Sequence, residues 1–122
     1  MAELRETHLR YLLAIYELGK RGPEVGIQAV AKALGCSKAA VTHMASTLMD
    51  MNLLVRERYG KLYLTDTGFL LARDAFRCVE VICERLPALG LALTAEEAQS
   101  LVYTMVVNLP EHCRKQLSGR AE

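Results

Sequence analysis

Between Ile27 and Leu48 two apolar stripes of helical spacing are separated by only six residues, Gly35 to Ala40, with Gly35-Cys36-Ser37 at the break. Ile27, Val30, Ala31 and Leu34 fall at i, i+3, i+4 and i+7, and Val41, Met44, Ala45 and Leu48 repeat the spacing. Two short helices must therefore cross over a shared core. Gly35 is suited to end the first in a left-handed cap, and Ser37 to cap the second. The pattern is a helix-turn-helix. After Asn52, the strand-type runs Leu53-Leu54-Val55 and Leu62-Tyr63-Leu64 flank Arg56-Glu57-Arg58-Tyr59-Gly60-Lys61, where Gly60 can supply the positive φ of a hairpin turn.

A helix presented with its N-terminus outward can enter the DNA major groove, while a basic hairpin beside it reaches phosphates or the minor groove. The apolar stripe leaves Ser37, Lys38, Ala39, Thr42, His43 and Ser46 on the free side of the second helix. All are small or hydrogen-bonding, and none would block a groove. Arg56, Arg58 and Lys61 crowd the hairpin tip. A plain helical core with a solvated polar face would explain the helix pair alone; the basic hairpin tips the balance toward duplex DNA.

The first helix spans roughly Leu4 to Gly19, with Leu9, Leu12, Leu13 and Tyr16 on one face and Tyr11, Ile15 and Leu18 on another. So wide an apolar arc predicts burial against several neighbours. Gly19, Gly22, Pro23 and Gly26 are expected to form a loop. Beyond the hairpin, Thr65 or Asp66 can cap a long helix running to Arg85 or Leu86, stopped by Pro87 and Gly90. Along it Phe69, Ala72, Phe76, Val79, Cys83 and Leu86 step by three and four, an a/d seam suited to partner helices. Thr94-Ala95-Glu96-Glu97 is a capping box opening a helix with Ala98, Leu101, Val102, Met105, Val106 and Leu109 as its stripe. Asn108-Leu109-Pro110-Glu111 offers a cap for a last short helix that turns Cys113 and Leu117 inward and ends near Gly119. This much apolar helical surface exceeds what one small winged domain covers, which predicts a homodimer paired through Phe76, Val79, Leu101 and Met105.

The expected architecture is therefore mainly α, an N-terminal winged helix-turn-helix over residues 1–68 followed by a helical dimerisation region over 69–122. A chain of 122 residues can bury a core without disulfides. No apolar run approaches the roughly 18 residues of a membrane span, and the charged start Met1-Ala2-Glu3-Leu4-Arg5-Glu6 lacks a secretory signal. A cytoplasmic location without membrane contact is expected, with Cys36, Cys78, Cys83 and Cys113 reduced; no C-x-x-C pair suggests zinc or dithiol chemistry. The net charge of +1 averages unlike halves: residues 1–64 carry nine Lys/Arg against six Asp/Glu, and residues 65–122 six against eight. The positive half is the helix-turn-helix half.

With these residues in place, the chain resembles the metal-dependent (iron or manganese) transcriptional repressors of the diphtheria toxin repressor and manganese transport regulator type. The likeness runs from residue 4 to about 90. It rests on Tyr11-Leu12 and Ile15-Tyr16-Glu17-Leu18, on Val30 to Leu34 and Ser37 to Leu48, and on Leu64-Thr65-Asp66-Thr67-Gly68. It implies a winged helix followed by dimerising helices, and DNA contacts at Ser37, Ala39, Ala40, Thr42 and His43. It also implies a transition metal (Mn, Fe or Zn), but the matching positions hold Arg10, Val79 and Cys83, with Tyr103, Val106 and Val107 completing the set. Arginine does not deprotonate to ligate, and valine has no donor. A shifted register brings Glu111-His112 and Asn108 into place, so Cys83, Glu111 and His112 remain the metal candidates of an altered site.

No nucleotide-binding, zinc-protease or nucleophile-elbow pattern is present, which argues against an enzyme. The expected function is a dimeric, sequence-specific DNA-binding regulator that does not use the family's usual metal site. The alternatives are a metal-responsive repressor with an altered site, a small-molecule sensor sharing the Leu-Thr-x-x-Gly segment, and a winged-helix protein-interaction module that ignores DNA.

Overall fold

The computed structural model of the chain describes residues 3–22 and 24–119. Six helices and a three-stranded sheet follow in the order α1 (Glu6–Gly19), β1 (Val25–Gly26), α2 (Ile27–Leu34), α3 (Lys38–Asp50), β2 (Leu54–Arg56), β3 (Lys61–Leu64), α4 (Asp66–Arg85), α5 (Ala95–Asn108) and α6 (Glu111–Leu117). A short 3-10 turn, Leu86–Leu89, links α4 to the segment before α5. The fold is the expected mainly helical winged helix-turn-helix.

The helix-turn-helix forms for the reasons its sequence gives. Gly35 adopts φ 67° and ends α2. Ser37 accepts from the Ala40 N–H at 3.0 Å and starts α3, satisfying one of the amides that a helix start leaves without a partner. Val30, Ala31, Val41, Ala45 and Leu48 are all buried, in a core shared with Leu9, Leu12, Leu13 and Ile15 of α1. Four fully buried leucines, Leu9, Leu12, Leu48 and Leu62, anchor that core, each stabilising the fold by about 2 kcal/mol relative to an exposed position.

The wing is pinned at both ends. At its tip the Gly60 N–H donates to the Glu57 carbonyl at 2.9 Å and the Glu57 N–H to the Lys61 carbonyl at 2.8 Å, with Gly60 at φ 83°. At its base the Thr65 hydroxyl donates to the Asn52 carbonyl at 2.9 Å and accepts from the Gly68 N–H at 2.9 Å. One side chain thereby caps α4 and ties it to the end of α3. Gly68 permits the crossing: a Cβ there would lie 2.1 Å from the Leu53 carbonyl oxygen.

Three expectations are corrected. The glycine-rich segment before α2 is not wholly loop, since Val25 and Gly26 pair antiparallel with Leu62 and Lys61 as β1, giving the order β1-β3-β2. The α4 seam is rotated: its buried line is Gly68, Ala72, Ala75, Cys78 and Ile82, while Phe69 and Cys83 are exposed. Small residues let α4 approach its neighbours closely, whereas its large apolar residues flank the contact. Finally, α6 has Pro110 at its N-cap without a side-chain cap, because the Asn108 amide instead donates to the Thr104 carbonyl at 2.8 Å. The Thr94 capping box and the stop at Gly119, φ 79°, are as expected. Cys113 and Leu117 are both half-buried.

Candidate nucleic-acid interface

On α3, Ser37, Lys38, Ala39 and His43 are exposed, and Ala40 and Thr42 are half-buried. Buried Val41, Ala45 and Leu48 fix the opposite face, so the free side of the helix carries hydrogen-bonding groups on a rigid backing. Arg56 and Arg58 are exposed on the wing and Lys61 is half-buried. Thr65 and Asn52 couple the wing's base to α3, so both surfaces are held by one framework. Such a pairing of a helix that fits a groove with a cationic hairpin suits duplex nucleic acid.

The residues named for pairing divide into two sets. Phe76 packs inside the chain, its ring 5.7 Å from that of Tyr16 on α1 and 4.2 Å from the Lys20 ammonium. Val79 lines a groove of about 300 Å³ with Arg10, Ala14, Glu17, Arg21 and Tyr103. Leu101 and Met105, one turn apart on α5, are each 49% exposed, while Val102 and Val106 on the other side of the helix are buried.

The groove that holds Val79 also gathers Arg10 and Tyr103, three of the positions at which the resemblance implies metal ligands. The Arg10 guanidinium pairs with Glu6 one turn earlier, donates to the Gln99 side-chain oxygen at 3.2 Å, and sits 5.4 Å over the Tyr103 ring. Burial raises the Tyr103 phenol above its ordinary pKa, and the Arg10 charge acts in the opposite direction. Val106 is buried and Val107 half-buried. These residues do not fit a metal: the groove centres on a fixed guanidinium, and the described residues include no group of three His, Cys, Asp or Glu side chains able to hold an ion.

Cys83, Glu111 and His112 are not brought together. Cys83 is exposed on α4 near Tyr103, and Glu111 pairs with Lys115 at 3.8 Å beside a groove that contains Leu71 and Asp74. Asp74 precedes Cys83 by nine residues, about 13 Å along a helix. His112 Nε2 lies 3.5 Å from the Cys113 thiol. Of the other thiols, Cys36 accepts from the Tyr11 hydroxyl at 3.5 Å, and burial raises the Cys78 pKa, which keeps it a core thiol.

A winged helix-turn-helix backed by three further helices is the architecture of the metal-dependent repressors, and the solved structures similar to this chain bear that out. The manganese regulator SloR matches with a TM-score of 0.71 at 24% identity, over 98% of this chain and 54% of that one. ScaR with bound Zn²⁺ matches at 0.64 and 27% identity, over 93% and 52%. The metal-dependent transcriptional regulator MtsR matches at 0.70 and 22% identity, over 93% and 52%. The chain thus resembles the family read from its sequence and spans about half the length of these three proteins. No protein-family profile and no curated sequence matches it. Among the described residues no helix is long and apolar enough to cross a membrane.

Proposed function

We propose that this protein is a cytoplasmic, dimeric, sequence-specific DNA-binding transcriptional regulator without enzymatic activity. The observation that carries the reading is the joint presentation of a capped α3, with Ser37, Lys38, Ala39, Ala40, Thr42 and His43 along its free side, and a wing bearing Arg56, Arg58 and Lys61. Residues 1–68 engage the operator and residues 69–122 supply the pairing surface. Leu101 and Met105 form its centre, while Phe76 and Val79 hold α4 against α1 behind it.

The regulator works without the transition metal implied by its relatives. The family resemblance implies a metal that bridges the first helix to the long helix and so sets the spacing of the two recognition helices. Here the guanidinium of Arg10, held by Glu6, Gln99 and Tyr103, ties α1 to α5. An arginine stays charged at every physiological pH, so this tie does not depend on an ion supply.

Selecting bound fragments from random duplex DNA, with Mn²⁺, Fe²⁺ or Zn²⁺ and with EDTA, tests both parts. The expected result is one enriched, two-fold-related sequence under every condition. Enrichment only with metal overturns the metal-independent reading, and no enrichment under any condition favours a protein-interaction module.

A further inference from the structure

The wing carries a residue that cation counting passes over. Tyr59 is 86% exposed, ahead of Leu89 at 67% and Leu91 at 58% among the large apolar side chains described. Hairpin apices ordinarily hold small polar residues, because a large ring standing in water gains nothing from folding. The backbone that carries it is fixed. Arg58 and Tyr59 are the central residues of the turn closed from Gly60 to Glu57, and Gly60 in the left-handed region with the Glu57–Lys61 bond completes it. The ring is flanked by Arg58 and, two residues on either side, by Glu57 and Lys61.

The wing stands beside the helix that the DNA-binding reading places in the major groove. β3 runs back from Leu64 to Lys61, three steps or about 10 Å of extended strand, and the Glu57–Gly60 turn carries Tyr59 beyond its end. With its base tied to the end of α3 by Thr65 and Asn52, the wing offers this apex to the phosphates and minor groove that flank the major-groove site. Arg58 and Lys61 then meet phosphates, and the aromatic ring between them meets sugar and base edges, the pairing of cations with a ring face on which nucleic-acid surfaces rely.

We propose that Tyr59 is a minor-groove contact of the wing, its ring packing against the sugars and base edges beside the site read by α3. The inference rests on the DNA-binding reading above. It assigns the wing two kinds of work: charge neutralisation by Arg58 and Lys61, which varies with salt, and ring packing by Tyr59, which does not.

The test measures affinity against salt concentration for the full chain and its variants on the enriched duplex. Tyr59→Ala is expected to weaken binding about tenfold with the logarithmic salt slope unchanged, whereas Arg58→Ala and Lys61→Ala each lower the slope by about one. Tyr59→Phe should bind like the parent. Netropsin, which fills A·T-rich minor grooves, should displace the parent more readily than Tyr59→Ala. Because the Tyr59 side chain is exposed, neither Tyr59 variant should shift the melting temperature. Binding by Tyr59→Ala equal to the parent's, equal loss in Tyr59→Phe and Tyr59→Ala, or a change in oligomeric state instead of affinity each overturns the proposal while leaving the DNA-binding reading in place. Failure of the parent itself to bind duplex, or indifference to Thr42→Ala and His43→Ala, removes that reading and the Tyr59 contact with it.

Discussion

The guanidinium of Arg10 lies 5.4 Å above the ring of Tyr103, joining the first helix of the chain to the fifth. The contact is held from two further sides by Glu6 and Gln99. Sequence register predicts instead that Arg10 pairs with a carboxylate of the long helix, Glu80 or Glu84; this expectation is corrected, since both are exposed and Arg10 reaches Glu6 on its own helix and Gln99 on α5.

Arg10→Met should weaken operator binding about tenfold, the scale of a coupling between a remote tie and a binding surface. The fold should survive, because a cation over a half-buried ring contributes only about 1 kcal/mol. EDTA should leave the parent's affinity unchanged. Collapse in EDTA with recovery in Mn²⁺, Fe²⁺ or Zn²⁺ would make Cys83, Glu111 and His112 the first ligands to test.

Gly68→Ala should be among the most damaging single substitutions in the chain. The added methyl would stand 2.1 Å from a backbone oxygen of Leu53, which cannot rotate away as a side chain could. A loss of about 3 kcal/mol is expected, read as a fall in the urea midpoint. Thr65→Val should cost about 1 kcal/mol through loss of its cap. A neutral Gly68→Ala would mean that α4 does not cross the α3–β2 turn as closely as described.

Much of this was legible beforehand, because caps and turns are local chemistry. Ser37, Gly35, Gly60, Thr65 and the Thr94 box each act within a few residues of themselves, so their roles follow from the sequence alone. What escaped depends on partners distant in the chain. Two residues, Val25 and Gly26, are too few to alternate, and only β3 makes them a strand. On α4 the eye weights Phe69 and Phe76, yet close packing is set by Gly68, Ala72 and Ala75. The positions proposed to face DNA are those that the stripe of α3 leaves over, and they are exposed or half-buried in the fold. Arg10 was singled out by the resemblance, but nothing local announces Gln99 or Tyr103, some ninety residues away.

Acid should destabilise the start of α1. His8 Nδ1 accepts the Arg5 backbone N–H at 3.0 Å, and burial, then the Arg5 charge, hold its pKa below the ordinary 6.5. The unfolded chain therefore takes up this proton first. Stability from this group is complete above pH 6.5 and falls as the pH drops through 6.5 toward the folded value. His8→Gln keeps an acceptor at the same helix position but does not titrate, so its melting temperature should decline less on acidification. Equal declines would assign the acid loss to other groups.

Pairing through α5 gives the last expected outcome. Leu101 and Met105 are half exposed on one side of a helix whose other side is sealed by Val102 and Val106. In the proposed dimer a second copy would cover this apolar pair, and a charge placed there would be desolvated only in the dimer. Leu101→Glu and Met105→Glu should therefore yield folded monomers with the helical signal of the parent, and with weak operator binding because one half-site contact is lost. Phe76→Glu should behave differently. Its ring packs against Tyr16 and Lys20 within the chain, so a carboxylate there should lower the melting temperature as well as any affinity. Sedimentation and circular dichroism on the three variants separate these outcomes. A parent protein that sediments as a monomer at micromolar concentration, or a Leu101→Glu variant that stays dimeric, would move the pairing surface off α5.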